Sequence, residues 1–275
     1  MTWLTRTPAP PLDRAVAALW YFRRAPVPFV LERVMPTGTS QLIVNLKDDV
    51  TRGYDLDARP TTRPGSVLVG PRTTFEIIDS DEQEHVIAAI FRPGGTRAFF
   101  APPAGEFHGA DVPLEALWTP AAASRLREQL LTAATPDAAL DRLEHALREA
   151  WLNRTTPPAV AAALTAFTRA PHAARVGTVA AAVGLSPRRF IERFRDEVGF
   201  TPKQFCRVRR FQHALAQAHA AVEVDWSAVA LATGYYDQAH FIHDFRAFSG
   251  LTPTGYRAGR TAFQNHVTFL QSPAG

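Results

Sequence analysis

The chain has 275 residues, 46% of them hydrophobic, 20% charged and 10% aromatic, with a formal net charge of +4. That composition excludes wholesale disorder, and the length suggests two domains at roughly 100–200 residues each. No run of about 18 apolar residues exists to span a membrane, and Cys206, the one cysteine, excludes an internal disulfide, a multi-cysteine zinc site and a CxxC pair.

Met1 to Pro11 holds three prolines and no apolar core, so it does not read as a secretory signal. A cytoplasmic location is expected. The following stretch, to about residue 110, alternates β-branched runs with turn signals. It predicts strands at Phe29–Met35, Gln41–Leu46, Ser66–Val69, Thr74–Asp79 and Glu84–Phe91, with turns at Pro60–Gly65 and Arg92–Gly95. Short strands at this spacing suggest a sandwich or barrel.

From Thr119 the spacing becomes helical. Helices are expected over Pro120–Leu131 and Thr135–Leu152, the second with Thr135 as N-cap, Pro136 in its first turn and Leu140, Leu143 and Leu147 on one face. Such a hairpin could pack on the β-rich half or on its own copy in a dimer. Asn153 to Pro158 reads as a connector. Positive charge is concentrated beyond it: 170–260 carries 12 Lys+Arg against 7 acids, clustered in Arg188–Arg195 and Lys203–Arg210. One basic domain is the footprint of a polyanion partner, although a solvated helix surface would show the same count.

This last third contains a repeat of about 51 residues. Ala180 to Arg195 aligns with Ala230 to Arg246, with one extra residue in the second turn, and Gly199-Phe-Thr-Pro aligns with Gly250-Leu-Thr-Pro. Each copy reads as helix, tight turn, helix. Val176, Val179, Ala180 and Val183 stripe the first helix, matched by Trp226, Val229, Ala230 and Thr233. Gly184 and Gly234 suit left-handed helix ends, and Ser186 and Asp237 suit N-caps. Phe190, Phe194 and Val198 recur every fourth position, as do Phe241, Phe245 and Ser249. Lys203 to Ala218 is expected to form a longer linking helix buried through Phe205, Val208, Phe211 and Leu215.

A helix, tight turn and helix of this length is a DNA-binding unit. The face left outside the Phe stripe is Arg188, Arg189, Glu192 and Arg195 in the first copy and Gln238, Ala239, Ile242, His243 and Arg246 in the second. Arginine can bond guanine, glutamate cytosine and glutamine adenine, while Ala or Ile can touch a thymine methyl. Two helices entering successive major grooves need about 34 Å between them, and a shorter spacing requires bent DNA. The bland reading is a helical domain with duplicated packing and no nucleic acid.

These residues, from Pro171 to Arg260, resemble the AraC/XylS-type transcriptional regulators, most specifically through Gly-Tyr-Tyr-Asp-Gln-Ala-His-Phe at 234–241 and Thr-Pro-x-x-Tyr-Arg at 252–257. The resemblance implies a seven-helix domain with two helix-turn-helix units and a role as a transcription factor. It implies base-reading positions at Arg188, Ile191 and Glu192, then Gln238, Ala239, Ile242 and His243; with Ser186, Arg189, Arg195 and Arg246 these form the expected DNA-binding set. The N-terminal half is similar to an uncharacterised β-rich module of one AraC-type subgroup, around Leu31–Gly38, Val69–Arg72, Phe91–Gly95 and Ala98–Phe100. In the wider family this half often has a cupin-like barrel that binds an effector or makes a dimer.

The expected fold class is therefore α+β multidomain. Residues 1–118 form a β-rich effector or dimerisation domain, 119–156 a helical connector, 157–260 the double helix-turn-helix and 261–275 a tail too short and mixed to read. Expected partners are double-stranded DNA, a small-molecule effector, a second copy and, for an activator, RNA polymerase, with no membrane. No cofactor, metal or catalytic residue is expected.

Two other classes compete: a metal-free cupin-like enzyme, and an interaction module with an accessory DNA-binding domain. His85 and His108 stand alone rather than in a His-x-His metal set, and no GxSxG, HExxH or P-loop is present. Methyl acceptance by a regulator needs a reactive thiolate with further cysteine ligands, whereas Cys206 reads as core or boundary. Glu32, Arg33, Arg72, Glu76 and Arg92 could anchor an effector, or simply pair across strands. Trp20, Phe22, Phe29 and Phe99 could line a pocket, or fill a core.

Overall fold

A computed structural model describes residues 1–26 and 30–271. Ten strands come first: β1 (Thr2–Arg6), β2 (Val16–Arg23), β3 (Val30–Val34), β4 (Gln41–Asn45), β5 (Val50–Tyr54), β6 (Pro60–Pro64), β7 (Ser66–Val69), β8 (Glu76–Asp79), β9 (His85–Phe91) and β10 (Asp111–Pro113). Then follow α1 (Leu114–Leu117), α2 (Pro120–Leu131), α3 (Pro136–Glu149), α4 (Pro158–Arg169), α5 (Val176–Ala182), α6 (Pro187–Val198), α7 (Pro202–Ala220), α8 (Trp226–Ala232), α9 (Gln238–Ser249), α10 (Pro253–Gly259) and a last strand, β11 (His266–Gln271).

The strands make two antiparallel sheets, β1-β2-β9-β4-β7-β10 and β11-β3-β8-β5-β6, and not a closed barrel. The edges explain why. β10 is three residues long, and β6 has proline at both ends, so neither edge offers the continuous row of N–H donors that closure needs.

The five predicted strands are present, with small shifts: β8 starts at Glu76 and not Thr74, and Phe29 lies outside the described residues. Pro60–Gly65 is not a turn. Its first five residues pair with β5 as an edge strand, where a missing N–H is tolerated. β2 went unanticipated because both its faces are covered, which removes the alternation that marks a half-buried strand. Leu19 and Tyr21 face one core, while Trp20 and Phe22 face the other sheet.

Each sheet carries its own helical layer. The α2–α3 hairpin packs on the first sheet, burying Leu126, Leu130, Leu140, Leu143 and Leu147 with Leu19 and Tyr21. Of the two places expected for this hairpin, the β-rich half is the one it packs on within the chain. Thr119 and Thr135 cap the two helices by accepting from Ala122 N and Ala138 N. The second sheet shares a continuous core with the C-terminal helices, through Leu31, Met35, Phe75 and Ile77 against Phe205, Val208 and Phe211. In the described part of the tail, β11 runs antiparallel to β3 and so joins the sheet of the first half.

Cys206 is buried on α7, and burial pushes its thiol from about 9 up to about 11. A raised pKa in an acid favours the neutral form in the fold, so this group's contribution to stability declines as pH rises through that window. Labelling with a disulfide reagent at pH 8 is expected to be at least about tenfold slower in the folded protein than in urea. Equal rates would show Cys206 to be accessible.

Candidate nucleic-acid interface

Both copies of the repeat adopt the same backbone. Gly184 and Gly234 end α5 and α8 in the left-handed region, at φ 71° and 77°. Each end closes the same pair of bonds: Gly184 N and Leu185 N donate to Ala181 O and Ala180 O, and Gly234 N and Tyr235 N donate to Leu231 O and Ala230 O. This is the Schellman arrangement, which satisfies carbonyls that a helix end leaves without partners. Ser186 and Asp237 then accept from Arg189 N and His240 N, starting α6 and α9.

The Phe stripes fix which face of each helix is free. Phe190 and Phe194 are fully buried against Phe167, and Phe241 and Phe245 against Trp226, with Val198 and Ser249 also buried. Each fully buried Phe contributes on the order of 1.5–3 kcal/mol, which leaves the helices little freedom to roll. The opposite faces are open. Ser186, Arg188, Arg189, Ile191, Glu192 and Arg195 are exposed, as are Gln238, Ala239, His243 and Arg246; Ile242 is half-buried. The Arg188 side chain is 89% exposed and pairs with Glu192 at 3.0 Å. Arg195 differs in place, because its stem lies against Gly105 of the N-terminal half.

The extra residue of the second turn is Tyr236, 94% exposed beside the N-cap of α9. In the sequence its only signal is the one-residue insertion between the two copies.

The second basic cluster is not a free surface. Arg207 pairs with Asp244 at 2.7 Å, with Arg210 at 3.8 Å from the same carboxylate, whose side chain is 3% exposed. Their guanidinium groups also lie over Phe248 and Tyr235. Arg257 and Arg260 donate to carbonyls at the end of α7, Ala221 O and Ala218 O. These arginines hold α9 and α10 on the linking helix. Within 170–260 the exposed cations are those of α6, with Arg175, Lys203 and Arg246.

Both α6 and α9 end on the N-terminal half. Gly199 and Gly250, equivalent residues of the repeat, cap α6 and α9 at φ 83° and 66°. His108 Nδ1 donates to Gly199 O at 2.8 Å, and Arg33 Nη1 donates to Gly250 O at 3.5 Å. A Cβ on Gly199 would sit 2.4 Å from Pro71, and one on Gly250 would sit 2.5 Å from Phe75. One short segment, 71–75, thus touches the ends of both helices.

The other residues considered for chemistry are already engaged. Arg72 and Glu76 pair at 3.1 Å in a cluster with Arg63 and Asp111. The two arginines hold the Glu76 carboxyl below its ordinary range despite its burial. Arg33 is sandwiched between Phe75 and Phe269, and Arg92 donates to Asp13 O. Glu32 pairs with His266 at 2.7 Å. Trp20 and Phe22 line one cavity, whereas Phe99 packs on Trp151 elsewhere. His85 packs edge-on to Tyr21. Among the described residues no group of three or more His, Cys, Asp or Glu could hold a metal, and no helix is long and apolar enough to cross a membrane.

Residues 179–259 match the family model described as a helix-turn-helix domain. The matched segment spans α5 to α10, so the C-terminal part of this chain is similar to a helix-turn-helix domain. Residues 4–113 match a domain of unknown function (DUF6597). No curated protein gives a significant sequence match. Among solved structures, a transcriptional regulator from Chromobacterium violaceum with an AraC-type domain is 22% identical, over 37% of this chain and 90% of its own, at a TM-score of 0.34. A DNA-binding transcriptional dual regulator from Escherichia coli K-12 is 26% identical, over 38% and 95%, at 0.32. ToxT from Vibrio cholerae O395 is 7% identical, over 93% and 97%, at 0.46. Both α6 and α9 lie inside the matched segment.

Proposed function

We propose that this protein is an AraC-type DNA-binding regulator that recognises a specific operator, with α6 and α9 each entering a groove of one duplex. The observation that carries this is the pair of equivalent helices whose Phe faces are buried while Arg188, Glu192, Gln238 and His243 stand in solvent. In this reading Arg188, Ile191 and Glu192 contact base edges from α6, and Gln238, Ala239, Ile242 and His243 do so from α9. Ser186, Arg189, Arg195, Arg246 and the Tyr236 hydroxyl serve phosphates, which position without specifying. The Arg188–Glu192 pair presents the guanidinium already oriented.

Residues 157–260 act as the reader, 119–156 as the connector, and 1–118 as the sensing or assembling half, to which the tail 261–275 is joined through β11. The N-terminal half takes up a small molecule, two copies assemble on one operator, RNA polymerase is the partner when the protein activates, and the cell compartment is the cytoplasm. No catalytic role is assigned.

The test is a shift assay on fragmented genomic DNA over a salt series. One preferred fragment and a steep loss of affinity with salt are expected from a reader that neutralises several phosphates. Weak binding with no preferred fragment would refute operator recognition. On the preferred fragment, Arg188→Ala is expected to cost about 1–3 kcal/mol at one base position and relax specificity there. A uniform loss across sequences would place Arg188 on phosphate.

A further inference from the structure

A cavity of about 130 Å³ lies between the two sheets. Its size is close to that of an apolar cavity of ~150 Å³ that admits benzene. The walls are aromatic. Trp3 stacks on Trp20 with ring centres 5.3 Å apart and planes 9° from parallel, and Phe22 and Phe263 close on Trp3 at 5.6 and 5.8 Å. Phe263 comes from the tail that follows α10, so the segment beyond the helical domain supplies one wall of a cavity in the first half of the chain.

The polar groups at the cavity differ in what they already hold. Glu32 is answered by His266 at 2.7 Å. Arg24 donates through Nη2 to Ser80 O, but its Nε is buried with no hydrogen-bond acceptor among the described residues. A buried N–H of a cation without an acceptor is costly, and a ligand oxygen that reaches it recovers a charge-assisted bond. Flat aromatic walls favour a flat ring over an aliphatic one of equal size.

We propose that this cavity binds a single planar aromatic ring carrying a carboxylate or an acidic oxygen, with the ring among Trp3, Trp20 and Phe263 and the oxygen on Arg24. The assignment rests on the sensing half of the proposed function for its use, and on the cavity walls for its chemistry. Occupancy is linked to the reader by hydrogen bonds from Tyr256 Oη to Gln264 O at 2.9 Å and from Gln212 of α7 to Asn265 at 2.9 Å.

The test is calorimetric titration of the full chain with benzoate, cyclohexanecarboxylate and benzylamine, with tryptophan fluorescence as a second readout. One saturable benzoate site per chain is expected, with cyclohexanecarboxylate weaker by about fivefold and benzylamine silent. Arg24→Met is expected to weaken benzoate by about tenfold. Phe263→Ala, at a half-exposed wall, is expected to weaken it a few-fold with the circular dichroism unchanged. No saturation by about 10 mM benzoate, a ligand binding no tighter than weak millimolar, would overturn the proposal. So would equal affinity for Arg24→Met or for benzylamine. A shift assay on the same preparation separates the two readings: operator binding without a benzoate site removes only this assignment.

Discussion

Asp244→Ala is expected to lower the unfolding free energy by about 2–4 kcal/mol and to abolish detectable operator binding. The Asp244 carboxylate is 3% exposed and lies 2.7 Å from Arg207 and 3.8 Å from Arg210. Removing it leaves two guanidinium groups close together without their counter-charge. Breaking a buried pair costs about 3–5 kcal/mol, and the partial exposure of Arg207, 31% for its side chain, lowers that figure here. The damage falls on the proposed function because Asp244 joins α9 to the linking helix, so the second of the two proposed reading helices loses its anchor. Urea unfolding gives the stability change, and a shift assay gives the binding. Arg246→Ala, two residues on and exposed, should stay within about ±0.5 kcal/mol. If Asp244→Ala did the same, the clamp would have no energetic role.

Gly199→Ala should cost about 2–4 kcal/mol, whereas Gly184→Ala should cost only about 1–2. Both glycines sit at positive φ, 83° and 71°, so the backbone penalty for an L side chain is shared. Their surroundings differ. A Cβ on Gly184 meets nothing within 4 Å, while one on Gly199 meets the Pro71 ring at 2.4 Å and Ala104 O at 3.0 Å. A proline ring and a backbone carbonyl are poorly able to give way, so α6 must lift from the N-terminal half. Amide exchange at 71–75 and 104–108 should therefore rise in Gly199→Ala and stay unchanged in Gly184→Ala. Equal stability losses at the two sites would mean that the contact with Pro71 contributes nothing.

The two helix-turn-helix units were legible because their signals are local. A Phe every fourth residue, a glycine past the first helix and an N-cap before the second each depend on neighbours within about one turn. Two copies of the pattern removed the ambiguity of one. The β-rich half was only partly legible. Ser66–Val69 was read to its true bounds, but β2 has apolar residues on both faces and β6 looked like a turn because its prolines lie on a sheet edge. Arg207 and Arg210 could not be told from surface charge, since Asp244 meets them only after 34 to 37 residues of chain have folded back.

The order of residues by itself determined two duplicated helical units, their caps, their buried stripes and the side chains left outside. Each follows from short-range geometry that any water-soluble chain with this pattern must satisfy. Only the tertiary structure decided that both units end on one segment of the first half. It also decided that the tail returns as β11, and that Phe263 closes a ring-sized space beside Arg24. Such contacts join residues more than a hundred positions apart, and no periodicity encodes them. They arise because the sheet and the helices have apolar faces to remove from water, and the nearest face available to each was the other's.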